Sequence, residues 1–116
     1  MKQNLIVFIT KKYTTRPEYL WERYPSYCVF RHLNNRKWFA IIMSVPQKNL
    51  GLPGNKNVDI INVKCEPDSV GFLRDVPGIL PAYHMNKTNW VSILLDGTVP
   101  LKNIKNLIEA SFDLTK

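Results

Sequence analysis

The chain has the size of a single domain and is strongly basic. Its 116 residues are 45% apolar, and 16 lysines and arginines against nine acidic residues give a net charge of +7. This composition supports a packed core rather than a disordered chain, and the apolar run near the start of the sequence is too short for a membrane span or a secretory signal. The charge favours a polyanionic partner, with basic residues kept only for solubility as the alternative.

Two helical segments are predicted near the start of the chain. Residues 2–13 carry β-branched side chains that favour a strand, but the segment ends in two lysines that suit the C-terminus of a helix. We predict a helix over these residues. Thr15 is followed by a proline and then by Glu18, the pattern of a capped helix start. A short helical turn is therefore expected over Glu18–Arg23.

Residues 26–45 alternate with a period of two and predict a β-hairpin. Ser26–His32 and Lys37–Val45 are its strands, and the polar run between them supplies the turn. Four potentially cationic side chains surround this turn: Arg31, His32, Arg36 and Lys37. They are candidates for contacts with a phosphate backbone, and an ordinary solvated hairpin tip is the alternative.

Strands and helices alternate after the hairpin. The predicted elements are a loop at Pro46–Asn57, a strand at Val58–Cys65, a helix beginning at Glu66-Pro67-Asp68, a buried strand at Trp90–Leu95 and an amphipathic helix beginning at Pro100. The first of these helices is expected to turn Val70, Phe72 and Leu73 toward the core. Strand alternation places Lys64 on the same side as Asn62. Together these elements predict one α+β domain, residues 1–116, with helices packed on one face of an antiparallel sheet.

The residues that could carry catalysis are few. Cys28 and Cys65 form no CxxC motif or Cys/His cluster, which favours free, buried thiols in a reducing cytoplasm over a metal site or a disulfide framework. No phosphate-loop, dinucleotide or zinc signature occurs, and no close pair of carboxylates is placed for acid–base work. The remaining combination, Cys65 with His84, has no assignable base or orienting group, so we expect no enzyme.

The stretch Gly78–Trp90 holds the densest set of directional side chains. Aromatic rings, the imidazole of His84 and an Asn-Lys turn lie within thirteen residues, which makes this stretch the candidate ligand surface. A structural histidine whose ring is hydrogen-bonded near Trp90 is the alternative for His84. Trp38 and Trp90 each lie in an apolar strand, which favours core anchors over platforms for stacking bases.

Six motifs follow one another in order along almost the whole chain. They are Tyr24-Pro25-x-Tyr27, Val29-Phe30-Arg31-His32, Lys37-Trp38-Phe39-Ala40, Asp59 to Pro67, Leu80 to Trp90 with its Tyr-His-Met-Asn-Lys core, and Leu95-Asp96-Gly97-x-Val99-Pro100. In this order they resemble the MmcQ/YjbR family. Glu66 and Phe112 depart mildly from the family pattern, standing where aspartate and tyrosine are common.

The resemblance implies a CyaY-like α+β fold, in which helices back a curved antiparallel sheet in a double-wing arrangement. It also implies a bacterial, cytoplasmic, non-enzymatic DNA-binding protein, a label that rests on similarity of shape to a double-wing DNA-binding domain. At the motif positions of this sequence, the implied nucleic-acid surface consists of Lys64, Tyr83, His84, Asn86, Lys87 and Trp90. Further phosphate contacts would come from Arg31, His32, Arg36 and Lys37.

A binding module for a protein or small ligand, with incidental positive charge, is the alternative from another class. Tyr83, His84, Met85 and Trp90 would then line a pocket. Ligand binding to such a pocket would be saturable and insensitive to salt. For either function we expect no metal, no cofactor and no membrane.

Overall fold

Alternating apolar residues form five strands in one antiparallel sheet. The computed structural model describes all residues, Met1–Lys116. Its strands are β1 (Cys28–Arg31), β2 (Trp38–Pro46), β3 (Asn57–Lys64), β4 (Ile79–Pro81) and β5 (Trp90–Leu94). Their spatial order is β1-β2-β3-β5-β4, and every neighbouring pair is antiparallel. The predicted hairpin is therefore confirmed as β1 and β2, which are joined at residues 32–37.

Three α-helices pack on one face of this sheet. They are α1 (Lys2–Tyr13), α2 (Pro67–Arg74) and α3 (Leu101–Thr115), and a short 3₁₀ helix, Gln47–Leu50, lies within the predicted loop. The apolar residues of α3 recur at helical spacing, so Ile104 and Ile108 are fully buried beneath it. The α+β fold with helices on one face is confirmed. None of the helices combines the length and apolar character needed to cross a bilayer.

The two faces of the sheet bury different sets of side chains. Along β3, Ile61 and Val63 belong to the core beneath the helices, whereas Ile60 belongs to a second apolar cluster on the other face. Loop segments and the short 3₁₀ helix, rather than the α-helices, cover that second cluster, and the loops contribute partly buried aromatic residues such as Trp21 and Tyr83. The face away from the helices is therefore only partly covered.

The helical turn predicted over Glu18–Arg23 is wrong. The Glu18 N–H and C=O instead bond the C=O and N–H of Val29, each at 2.9 Å, so the chain extends the sheet at its β1 edge. The Thr15 hydroxyl donates to the Arg31 carbonyl at 3.3 Å and caps no helix. Long-range pairing with a strand has therefore overridden a local capping pattern.

The prediction that Phe72 faces the core is also wrong. Its side chain is 80% exposed, whereas Val70 is buried. Two residues along a helix correspond to a rotation of about 200°, so a helix of only eight residues that buries Val70 must turn Phe72 away.

Candidate binding site

A cleft lined mainly by aromatic side chains opens on the sheet face opposite the helices. Its volume is about 130 Å³, and nine residues line it: Trp21, Tyr24, Tyr27, Trp38, Ile41, Met43, Tyr83, His84 and Met85. No acidic side chain is among them. The cleft can therefore bind a flat, apolar group through dispersion and ring stacking.

Contacts between the aromatic rings form the walls of the cleft. Trp21 meets Trp38 and Tyr27 edge to face, with 6.0 Å between ring centroids in each pair. Tyr24 stacks on Tyr27 at 4.7 Å. The guanidinium of Arg31 lies 5.6 Å from the ring centroid of Trp38. These contacts restrict the rotamers of the rings before any ligand arrives.

Three tyrosine hydroxyls share the cleft. Burial raises the pKa of Tyr27 above its ordinary value, and the neighbouring phenols of Tyr83 and Tyr24 raise that pKa further. Tyr27 is therefore a neutral phenol at neutral pH, able to donate a hydrogen bond.

A buried polar pair fixes the loop that closes the cleft. Ser92 donates from Oγ to the Oδ1 of Asn62 at 2.5 Å, and Asn62 Nδ2 donates to the carbonyl of Tyr83 at 2.9 Å. The backbone N–H of Tyr83 donates in turn to Ser92 Oγ at 2.9 Å. We call these three residues the Asn62–Ser92–Tyr83 clamp. It satisfies both backbone groups of Tyr83 and so sets where the loop leaves the sheet.

The next residue, His84, adopts a left-handed backbone conformation with φ of 58°. Its ring stacks on that of Tyr83 at 4.0 Å, and it is exposed at the mouth of the cleft. The alternative of a structural histidine hydrogen-bonded near Trp90 is wrong. His84 lies at the cleft mouth because its backbone, anchored through Tyr83, takes an uncommon conformation.

Strand register brings many of the predicted site residues to one end of the sheet. Arg31 is opposite Trp38, and Lys64 is opposite Trp90, so the hairpin tip, the end of β3 and the loop before β5 all leave the sheet at this end. The predicted residues carried there are Arg31, Arg36, Lys37, Lys64, Asn86 and Lys87. We call this region the cationic end. Trp38 belongs to both the cationic end and the cleft.

Two of the ten predicted residues, His32 and Trp90, are buried and belong neither to the cationic end nor to the lining of the cleft. His32 is only 4% exposed, and its Nε2 lies 2.7 Å from Thr115 Oγ1. The Thr115 hydroxyl proton is donated to the carbonyl of Ser111, so His32 Nε2–H must be the donor to Thr115. Burial lowers the pKa of His32, which makes it a neutral core residue rather than a phosphate contact. Trp90 is also buried, as a core anchor behind the cleft.

An acidic residue that the sequence analysis did not connect with this surface neutralises part of the cationic end. Glu18 Oε2 lies 3.1 Å from Arg31 Nε, and Glu18 Oε1 lies 3.3 Å from an Arg36 guanidinium nitrogen. Lys37 is exposed and makes no ion pair with the protein. The loop contributes Lys87, whose carbonyl accepts from Arg74 at 2.8 Å. Lys37, Lys64 and Lys87 make no ion pair and therefore carry most of the unneutralised positive charge of the cationic end.

Cys65 and His84, the combination considered and set aside as a nucleophilic pair, lie on opposite faces of the sheet. Cys65 belongs to the core beneath the helices, whereas His84 lines the cleft on the other face. Burial raises the pKa of both thiols, that of Cys28 to about 11. Thiolate chemistry is therefore disfavoured at both cysteines.

Comparisons with known proteins assign the chain to a family. The YjbR family model matches residues 10–114. The uncharacterised protein YyaQ of Bacillus subtilis is 46% identical over 115 residues, covering 99% of this chain and 98% of the relative. The uncharacterised protein YjbR of Escherichia coli is 31% identical over 58 residues, about half of each chain.

Two crystal structures extend the comparison to the fold. A protein from Pseudomonas syringae is 48% identical with a TM-score of 0.98, over 100% of this chain and 99% of that one. A Deinococcus radiodurans protein shares the fold at 22% identity, with a TM-score of 0.74 over 98% of this chain and 77% of that one. The family model and the relative from Bacillus subtilis each match nearly the whole chain, so the chain belongs to the YjbR family.

Proposed function

We propose that the protein is a binding module that takes one planar ring into the aromatic cleft. The observation that carries this proposal is the lining itself, which places two tryptophans and three tyrosines around about 130 Å³. An apolar cavity of about 150 Å³ is known to hold one benzene ring. The cleft is therefore matched to a single ring and too small for a drug-sized ligand.

The rigidity of the cleft supports the same proposal. Ring-on-ring contacts order Trp21, Trp38 and Tyr27, and the Asn62–Ser92–Tyr83 clamp orders the loop above them. A ligand that enters preordered walls loses less of its binding energy to side-chain entropy. The lining has no nucleophile paired with a base, so its side chains favour recognition over chemistry.

Titration with p-cresol, a single-ring probe, tests the proposal. In ¹H–¹⁵N NMR spectra, the three tryptophans give three indole N–H signals, of which those of Trp21 and Trp38 report the cleft. We expect both signals to shift saturably, with an affinity that does not change between about 50 and 200 mM salt. The absence of saturable shifts at both tryptophans would refute the proposal.

A matched pair of tyrosine variants localises the binding. Tyr24 is in the cleft and 49% exposed, whereas Tyr19 is outside it and 57% exposed. Tyr24→Ala should weaken p-cresol binding, and Tyr19→Ala should leave it unchanged. Equal losses in the two variants would place the ring elsewhere.

The second candidate function is binding of duplex DNA in the bacterial cytoplasm without catalysis. The specific observation in its favour is that unpaired Lys37, Lys64 and Lys87 leave the sheet at one end, in a protein of net charge +7. Lysines also line a groove of about 610 Å³ between α1 and α3, so positive charge is not confined to one surface. For this reason duplex binding ranks second.

A salt titration with matched lysine variants tests duplex binding. Fluorescence anisotropy of a labelled duplex should show affinity that falls steeply between about 50 and 200 mM salt. Lys87→Ala should weaken binding to all sequences alike and reduce the salt slope by about one unit. Lys56→Ala is the control, because Lys56 is exposed in the β2–β3 loop at the opposite end. Equal effects of the two variants would count against the cationic end.

A further inference from the structure

We infer that the ring taken by the aromatic cleft is a pyrimidine base carried on a phosphate, either as a free nucleotide or within a single strand of nucleic acid. This inference rests on the proposed function, because it names the ligand class for the same cleft. Three properties of the cleft support it: its charge environment, its polar groups and its size.

The charge environment disfavours a cationic ligand. Cages of aromatic rings can bind quaternary ammonium groups, but no carboxylate lines this cleft. The guanidinium of Arg31, which is paired with Glu18, already occupies space over the ring of Trp38, and the protein as a whole carries a net charge of +7. A cation would therefore be repelled, whereas a ring attached to an anion would be attracted.

The position of the cleft provides cations for such an anion. Lys37 immediately precedes Trp38, which lines the cleft, and Lys87 belongs to the same loop as Tyr83 and His84. Lys64 leaves the sheet at the same end. A ring stacked on Trp38 can thus have its phosphate near the ammonium groups of these lysines, the combination of stacking and charge used to bind single strands.

The polar groups of the cleft distinguish a base from an apolar side chain. Tyr24, Tyr27 and Tyr83 each bring a phenol, and the exposed ring of His84 lies at the mouth. A pyrimidine presents carbonyl oxygens and ring nitrogens on its edge, which can pair with these groups. A phenylalanine side chain would leave the same groups without partners, at a cost in affinity.

The size of the cleft selects among bases. A volume of about 130 Å³ accommodates one six-membered ring, as comparison with the benzene-binding cavity of about 150 Å³ indicates. The two fused rings of a purine are larger than the single ring that a cavity of similar volume is known to hold. A base paired within a duplex cannot enter without leaving the stack. We therefore expect single-stranded pyrimidines to bind best.

Four nucleic-acid probes test the inference by tryptophan fluorescence and anisotropy. They are thymidine 5′-monophosphate, oligothymidylate of about eight nucleotides, oligoadenylate of the same length and an abasic sugar-phosphate oligomer of the same length. Oligothymidylate should bind more tightly than oligoadenylate, and about tenfold more tightly than the abasic oligomer. Binding of oligoadenylate or the abasic oligomer as tight as that of oligothymidylate would overturn the inference.

Variants and the mononucleotide complete the test. Tyr24→Ala should weaken oligothymidylate binding about tenfold without changing abasic binding, and Tyr19→Ala should change neither. Equal affinity for the mononucleotide and the oligomer would identify the free nucleotide as the source, and much tighter binding of the oligomer would identify a strand. Either result supports the inference.

Failure of the inference is distinguishable from failure of the proposed function. If p-cresol binds at Trp21 and Trp38 but neither thymidine probe does, the cleft is a ring site for another ligand and the inference is overturned alone. If p-cresol and both thymidine probes fail, the proposed function fails with it. Tighter binding of a duplex than of its separated strands would overturn the inference in favour of the second candidate function.

Discussion

Replacing Ser92 with alanine tests whether the Asn62–Ser92–Tyr83 clamp holds the structure together. The Ser92 hydroxyl is fully buried, donates to Asn62 at 2.5 Å and accepts from the Tyr83 N–H at 2.9 Å. Ser92→Ala removes both hydrogen bonds and leaves two buried polar groups without partners. Each such group costs about 1–3 kcal/mol, so we expect the variant to lose about 3 kcal/mol of unfolding free energy.

Urea denaturation measures this loss. For an m-value of about 2 kcal/mol/M, a loss of about 3 kcal/mol lowers the unfolding midpoint by about 1.5 M. Ser44→Ala is the matched control, because Ser44 lies in the neighbouring strand β2 and its hydroxyl bonds no group of the protein. It should change stability by less than about 0.5 kcal/mol. A loss below about 1 kcal/mol for Ser92→Ala would refute the reasoning.

Three further predictions concern a titrating group, an exposed side chain and an ion pair. Burial lowers the pKa of His32, so as the pH falls the unfolded chain takes up this proton before the folded chain does. The free energy of unfolding should therefore fall below about pH 6.5, by up to about 1.4 kcal/mol per pH unit, until the pH reaches the folded pKa. Urea unfolding across this pH range should show the slope in the wild type and not in His32→Gln. Phe72→Ala should change stability by less than about 0.5 kcal/mol whereas buried Val70→Ala costs about 2 kcal/mol, and equal thermal shifts would contradict their placement. Glu18→Gln removes the carboxylate shared by Arg31 and Arg36, so the affinity for duplex DNA in the anisotropy assay should rise. The salt slope of binding should steepen by about one to two units. An unchanged slope would show that these arginines contact no phosphate.

Residue periodicity correctly predicted the hairpin and the last helix, whose conformations are determined by their own sequences. The period of two in residues 26–45 identified the hairpin, and the helical spacing of Ile104 and Ile108 identified α3. Prediction failed where a distant segment decided the conformation. The capping pattern at Thr15 is sound in isolation, but no sequence signal reveals that the backbone of Glu18 pairs with Val29.

The candidate site could be predicted in part. The loop was identified because Tyr83 and His84 are directional groups close together, and both line the cleft with Met85. The opposite wall was not predicted, because Trp21 and Tyr24 come from the segment assigned to a helix. The clamp had a sequence signal that was not used, since Asn62 and Ser92 are polar residues inside otherwise apolar strands.

Both edges of the sheet are closed to a further strand. At one edge the Glu18 backbone already occupies the donor and acceptor of Val29, and at the other β4 has only three residues and ends at Pro81, which has no N–H to donate. A partner peptide therefore cannot add itself to the sheet through main-chain hydrogen bonds, the route that many peptide-binding domains use. Recognition by this fold must depend on side chains, and so on the identity of the group presented rather than on an extended backbone.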